Sequence, residues 1–138
     1  MTSSRQGHET APRITVSADT SQLASVRAHV RRIASTTGAP PALVSDFELA
    51  VTELATNVIR HADTDDLTVG FGRRPGASDT WVLEVSQAPP AIDLGAVTAP
   101  RWSEPSGRGL AIVLTVMDAV DVVDVGGVRY VRCVKSAV

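Results

Sequence analysis

The 138-residue sequence lacks the features that mark several large classes of protein. It contains one cysteine, Cys133, so no disulfide can form within the chain. The first twelve residues are polar and lack the apolar run of a secretory signal. No stretch approaches the roughly 18 continuous apolar residues of a membrane-spanning helix. We therefore expect a cytoplasmic protein that does not enter a membrane.

A strong charge of either sign is also missing, because the formal net charge is −2 at pH 7. Binding to nucleic acid generally needs a basic surface, so we expect no direct contact with DNA or RNA. The chain is 43% hydrophobic and long enough for one buried core. We expect a disordered tail over residues 1–12 and a single domain over residues 13–138.

Apolar periodicity predicts an alternation of strands and helices along that domain. The predicted elements are a strand at 13–17, a helix from Asp19 or Thr20 to Gly38, a helix from Pro40 to Ala62, strands at 67–72 and 81–86, a loop at 87–108, a helix at 109–119 and a hairpin of 120–125 with 128–135. This order predicts an α+β two-layer sandwich. Its sheet is expected to be mixed but mostly antiparallel, with about three helices covering one face.

The stretch "ELATNVIRHA" places four polar side chains in one stripe of the second predicted helix: Glu53, Asn57, Arg60 and His61. At about 100° per residue they fall close together beside the apolar face. Two interpretations are open. The stripe is a binding site, or it is a solvated helix edge with a weak surface pair between Glu53 and Arg60. Periodicity alone favours the solvated edge.

A glycine turn, "SGRGLAIV", follows the long loop and begins the third predicted helix. Gly107 and Gly109 flank Arg108 directly before the apolar residues. Glycine allows backbone N–H groups to approach a ligand closely, and a helix N-terminus favours an anion. The alternative is an ordinary flexible loop end. The turn alone does not decide between an anion site and a loop end.

Taken together, the two motifs resemble those of the GHKL (Bergerat-fold) ATPases, and most of all their bacterial anti-sigma factor and serine-protein kinase branch (RsbW-like). The resemblance covers residues 13–135 and implies a histidine-kinase-type ATPase domain that uses ATP and Mg²⁺. By position, it implies that Asn57 holds Mg²⁺ through its side-chain oxygen and that Glu53 acts as the catalytic general base. Gly107 and Gly109 would contact the phosphates, within a motif that also includes Arg108 and Leu110.

One family motif is not matched in this sequence. After the strand that ends near Val85, the family has an aspartate that accepts the adenine amino group, followed by two glycines. Here the sequence reads "VSQAPPAID", which places Gln87, Pro89 and Ala91 at those positions. Replacing a charge-assisted hydrogen bond by a neutral one loses about 1 kcal/mol, or roughly tenfold in affinity. The phosphate and metal end is thus kept, while the adenine end is altered.

The resemblance leaves more than one function open. The first is an ATP-binding anti-sigma factor that sequesters a sigma factor and phosphorylates a serine of a STAS-domain anti-anti-sigma partner. The second is a pseudo-ATPase of the same fold that acts only through protein interactions. A sensor histidine kinase is disfavoured because the chain has no room for a dimerisation helix pair. Members of the family commonly form dimers, so a homodimer is also expected.

Overall fold

The computed structural model describes residues 11–89 and 108–137, with the backbone alone for Arg108. Within these ranges lie five strands and three α-helices. They are β1 (Arg13–Ser17), α1 (Leu23–Thr37), α2 (Pro41–His61), β2 (Asp66–Arg73), β3 (Thr80–Gln87), α3 (Arg108–Val116), β4 (Ala119–Val125) and β5 (Val128–Ser136). A short 3-10 turn, Thr20–Gln22, leads into α1.

The five strands form one sheet in the order β1-β2-β3-β5-β4. Every neighbouring pair is antiparallel. The α+β class with its two-layer architecture is therefore confirmed, although no parallel neighbours of a mixed sheet occur among the described strands. Since β5 lies between β3 and β4, the connection through α3 crosses over β5 before the chain returns to fill the gap.

The core lies between the sheet and the helices and is mainly aliphatic. Phe47 of α2 meets Phe71 of β2 edge to face, with ring centroids 4.9 Å apart. Around this pair, α2 contributes an apolar face at helical spacing, and β2 and β3 contribute alternate side chains. The fully buried members include Val51, Leu54, Val58, Leu67, Val69, Leu83, Val85, Val131 and Cys133. This packing fixes α2 across the sheet.

Most helix ends follow the predicted signals. Asp19 accepts a hydrogen bond from the Ser21 amide, and α1 ends at Gly38 with φ of 76°, where glycine avoids the Cβ clash. The third helix is the exception, because α3 ends at Val116 and not at residue 119 as predicted. The amide of Asp118 bonds the Val134 carbonyl, and the ammonium of Lys135 bonds the Val116 carbonyl. Pairing with β5 thus ends the helix early.

A cluster of charged side chains lies on the face of the sheet opposite the helices. Glu84 is only 1% exposed there and forms ion pairs with Arg13 at 2.5 Å and Arg132 at 2.7 Å. The Arg13 guanidinium also lies 5.2 Å from the centre of the Tyr130 ring. A buried carboxylate is tolerated only when it is paired in this way.

The packed part of the chain begins before β1. Ala11 is buried, and the Pro12 carbonyl accepts hydrogen bonds from the Phe71 amide and from His29. Residues 1–10 of the predicted tail lie outside the described residues. The boundary between tail and domain at residue 13 stays a prediction, while Ala11 and Pro12 contact the domain.

His29 fastens this N-terminal segment to α1. It is 2% exposed, and its Nε2 lies 2.9 Å from the Pro12 carbonyl oxygen. Arg32 has only donors and lies 2.9 Å from Nδ1, so the ring is neutral with its proton on Nε2. Burial lowers the pKa of His29, the Pro12 carbonyl opposes that shift, and the charge of Arg32 adds to it.

The neutral state of His29 makes the stability of the fold dependent on pH. Because its pKa is lower in the folded chain than the usual 6.5, the unfolded chain takes up a proton first as the pH falls. The free energy of unfolding should therefore be constant above about pH 7 and fall progressively below pH 6.5. Urea unfolding between pH 5.5 and 7.5 measures this. The variant His29→Gln should flatten the profile. An unaltered profile in His29→Gln would contradict the assignment.

Candidate functional site

The polar stripe of "ELATNVIRHA" lies along one edge of α2, as the sequence predicts. Leu54 and Val58 point into the core and are fully buried or nearly so. Glu53 and Asn57 are half-buried at the border of that core, one helical turn or about 6 Å apart along the axis. Arg60 and His61 are exposed. The stripe therefore divides into an inner pair and an outer pair.

Glu53, the first residue of the inner pair, lies beside the first turn of α3. A Cβ built on Gly109 would come within 2.8 Å of Glu53 Cδ and closer still to its carboxylate oxygen. Only glycine fits at position 109 with Glu53 in this place. The structure thus brings together the two motifs that lie far apart in the sequence.

The side chains of Glu53 and Asn57 have no hydrogen-bond or ion-pair partner among residues 11–89 and 108–137. The surface pair between Glu53 and Arg60 that the solvated-edge interpretation requires is not formed there. The polar atoms of the Asn57 side chain are not among the buried atoms that lack a partner. The carboxamide is therefore open to water or to a ligand.

The structure describes only the second half of the glycine turn. Gly107 lies outside the described residues, and α3 begins at Arg108, whose side chain is not described. Leu110 is half-buried and packs against the hydrophobic core. Leu110 thus anchors the first turn of α3, while Gly109 gives that turn room to approach Glu53.

Gln87 is the last residue of β3. Its amide nitrogen donates to the carbonyls of Val85 and Ser86, at 3.1 and 3.0 Å. Two residues later, the Pro89 carbonyl accepts a hydrogen bond of 2.7 Å from the Asp63 amide, just beyond the end of α2. Ala91 and most of the predicted loop at 87–108 lie outside the described residues. The start of that loop is tied to the C-terminal end of α2.

Two contacts are therefore spaced along α2: Gly109 approaches Glu53, and Pro89 bonds Asp63 just beyond the C-terminal end of the helix. Asn57 lies between them in the sequence of α2. An oxygen ligand such as the Asn57 carboxamide suits a hard cation that takes its other ligands from phosphates and water. The first turn of α3 offers backbone amides and the positive end of a helix dipole. The residues present fit a Mg²⁺-bound phosphate group.

The sequence matches the family model described as "Histidine kinase-like ATPase domain" over residues 16–135. The chain belongs to this family. The matched residues include all three helices and all five strands, apart from the start of β1 and the last residue of β5. No curated protein sequence matches this chain significantly.

Solved structures that share the fold of this histidine kinase-like ATPase domain include the following two. One contains the RsbU and RsbW domains of Rv1364c from Mycobacterium tuberculosis, with a TM-score of 0.62 and 16% identity over 91% of this chain. This chain spans 32% of that protein, or about a third of its length. The other is the SiaB–SiaC complex from Pseudomonas aeruginosa, with a TM-score of 0.62 and 14% identity. It covers 96% of this chain and 93% of the matched one.

Further residues of the domain fall outside both motifs. Asp124 and Arg129 form an ion pair beside Gln87, which the motifs did not predict. The signal for them is the register of the closing hairpin, whose glycine turn places Asp124 opposite Arg129. Burial raises the pKa of the Cys133 thiol to about 12, which fits a packing role in β5. None of the described helices is long and apolar enough to cross a membrane.

The contact between Glu53 and Gly109 predicts that Gly109→Ala destabilises the unmodified chain but stabilises a chain that lacks the Glu53 side chain. Gly109→Ala alone should cost up to about 1 kcal/mol, because the new methyl group displaces the Glu53 carboxylate. In a Glu53→Ala background the same change should stabilise the chain by about 0.5–1 kcal/mol, since alanine is the better helix former. Chemical denaturation of the four proteins gives the coupling energy.

The matched background is Glu48→Ala, on α2 but facing Arg31 of α1. There Gly109→Ala should cost as much as in the unmodified chain. If Glu53→Ala does not change the cost of Gly109→Ala either, the packing of the two motifs is not as described.

Proposed function

We propose that this chain binds ATP with Mg²⁺ along α2 and works as an anti-sigma regulatory factor with serine/threonine protein kinase activity. The observation that carries the proposal is the packing of Glu53 against Gly109, with the unpartnered Asn57 one turn away. A carboxylate beside the start of a helix, with a carboxamide one turn away, supports the proposal. Phosphoryl transfer requires such positioning and charge neutralisation above all.

Each residue has a distinct role in the proposed reaction. The Asn57 oxygen holds Mg²⁺, which neutralises charge on the phosphates when it is bound. The turn of Gly107, Arg108, Gly109 and Leu110 holds the phosphates through its backbone. Glu53 accepts the proton of the acceptor serine hydroxyl. The serine oxygen then bonds the terminal phosphorus, the bond to the bridging oxygen breaks, and ADP leaves.

The residues at the end of β3, where adenine would bind, support ATP binding of modest affinity. Gln87 offers only its neutral amide oxygen to an adenine amino group, because its nitrogen bonds two backbone carbonyls. Pro89 has no N–H to donate, and its carbonyl already bonds Asp63. Weaker adenine recognition, by roughly tenfold relative to a charged acceptor, follows from the neutral bond.

The proposed partners are proteins. The two structural neighbours are an RsbW-containing chain and a complex of two proteins, SiaB and SiaC. We propose for this chain a sigma factor as the sequestered partner and a STAS-domain anti-anti-sigma factor as the phosphorylated one. A homodimer is proposed as the assembly, and the compartment is proposed to be the cytoplasm.

A second candidate function keeps the partners and omits the nucleotide. The bonds from Gln87 to its own strand and from Pro89 to Asp63 favour it, because both turn polar groups away from a bound base. In that case the chain is a pseudo-ATPase that acts only through protein interactions. Nucleotide binding distinguishes the two functions.

Titration calorimetry with Mg²⁺ and ATP tests the first of them. Binding should be measurable at millimolar ATP, should require Mg²⁺, and should weaken tenfold or more in Asn57→Ala, which lacks the metal-ligating oxygen. The control is Thr56→Ala, the neighbouring half-buried position on α2 but outside the stripe, which should bind as the unmodified chain does. The absence of any heat at millimolar ATP would refute the kinase and leave the pseudo-ATPase.

Phosphate transfer to a STAS-domain protein tests the role of Glu53. Glu53→Gln keeps the shape beside Gly109 but cannot take a proton, so transfer should fall at least a hundredfold. Affinity for Mg²⁺ and ATP should stay within about twofold, because this residue is proposed to bind neither. A variant that loses nucleotide binding together with transfer would assign Glu53 a structural role.

A further inference from the structure

Three arginines that form no ion pair with any described residue lie around the C-terminal half of α1 and the turn between β2 and β3. They are Arg32, Arg73 and Arg74, and together they are called the basic corner below. All three are exposed. The described ion pairs involve other basic side chains, namely Arg13, Arg31, Arg129, Arg132 and Lys135.

Arg73 is held in place by neutral groups. Its guanidinium lies 5.4 Å from the centre of the Trp81 ring and donates to the carbonyl of Thr37, the last residue of α1. Trp81 in turn donates from Nε1 to the Thr37 hydroxyl at 2.9 Å. The end of α1 offers only the partial negative charge of a helix dipole. Arg73 is therefore ordered, keeps further N–H donors and retains most of its charge.

Arg32 lies close to the same end of α1. It precedes that end by five residues, or about 7.5 Å along the helix axis. Its terminal nitrogen lies 2.9 Å from Nδ1 of the neutral His29. The other ring nitrogen of His29 bonds the Pro12 carbonyl, which also accepts from the Phe71 amide, two residues before Arg73 in β2. Arg32 and Arg73 thus flank one region of the surface, and neither meets a carboxylate there.

Arg74 begins the turn between β2 and β3. The Ala77 amide donates to its carbonyl at 3.2 Å, and Gly76 has φ of 78° within this turn. The side chain of Arg74 and the amides of Gly76 and Ser78 bond no group among residues 11–89 and 108–137. A depression of about 440 Å³ is lined by residues 73–78. It therefore presents two guanidinium groups and two free backbone donors.

The carboxylates nearest in the chain do not neutralise the basic corner. Helix α1 contains no Asp or Glu. Glu48 of α2 pairs with Arg31 at 2.9 Å, and Asp79 accepts a hydrogen bond from the Thr80 hydroxyl at 3.3 Å. Since the whole chain carries a net charge of −2, the corner is opposite in sign to the chain as a whole.

The basic corner lies apart from the candidate nucleotide site. It adjoins Trp81 near the start of β3, whereas Gln87 is the last residue of that strand. Six residues of extended strand separate the two, or about 20 Å. A partner at the corner and a nucleotide along α2 therefore occupy different parts of the domain.

We propose that the basic corner docks a partner protein through an acidic segment, whose Asp or Glu side chains bond Arg32, Arg73 and Arg74. A guanidinium matches a carboxylate in a bidentate pair, and the amides of Gly76 and Ser78 add donors for the same group. A nucleic acid fits this surface poorly, because binding a phosphate backbone requires a longer run of cations on a basic protein. The inference goes beyond the proposed function and does not require a bound nucleotide.

Nuclear magnetic resonance titration of the full chain with a peptide of about ten glutamates, at about 50 mM salt and without nucleotide, tests the docking. The peptide should shift the amides of Gly76 and Ser78, and a glutamine peptide of equal length should not. Replacing both exposed arginines, Arg32→Gln with Arg74→Gln, should weaken binding at least about fivefold. The control Arg60→Gln removes an exposed arginine that also lies outside the described ion pairs, and should change affinity less than about twofold.

Three results would overturn the inference. An equal loss of affinity in Arg60→Gln, or shifts that spare Gly76 and Ser78, would show diffuse attraction without a site. A glutamine peptide that binds as tightly would remove charge from the recognition. Tighter binding of a single-stranded oligonucleotide at the same amides would assign the corner to nucleic acid. Each of these leaves the proposed nucleotide binding untouched, because no nucleotide is present in the titration.

Discussion

The close approach of α2 and α3 at Glu53 and Gly109 is the contact on which the candidate site depends. Position 109 cannot carry a side chain while the Glu53 carboxylate occupies its place beside α3. The core sets this approach, since the apolar face of α2 packs across the sheet and Leu110 anchors the first turn of α3. Because both helices are fixed by buried side chains, the polar groups between them are held in place before any ligand binds.

The two ends of the candidate site follow different chemical rules. At the α3 end the groups are a glycine, a carboxamide and a helix start, which are chemically suited to a phosphate and its cation. At the β3 end the polar groups are side chains, since the closing hairpin brings Asp124 and Arg129 beside Gln87.

Local sequence patterns predicted most of the fold, because strand alternation and helix periodicity are short-range signals. The Asp19 cap and the Gly38 terminus of α1 lie where their side-chain chemistry indicated. The predicted end of α3 was wrong by three residues. Hydrogen bonds from Asp118 to Val134 and from Lys135 to Val116 end the helix although its apolar periodicity continues. In the candidate site, Glu53 and Asn57 were found by motif, but spacing alone did not separate a site from a solvated edge. Asp124 and Arg129 were missed because their place beside Gln87 arises only from strand pairing.

The central claim is that a metal-bound nucleotide lies along α2 between Gly109 and Gln87. Nuclear magnetic resonance of the labelled chain, with Mn²⁺ in place of Mg²⁺ and excess nucleotide, tests it most directly. The account predicts the strongest paramagnetic broadening at the side-chain amide of Asn57 and the backbone amide of Gly109. Weaker broadening is expected at Gln87 and Arg129. Broadening that spares Asn57 and Gly109, or that requires no nucleotide, would contradict the account.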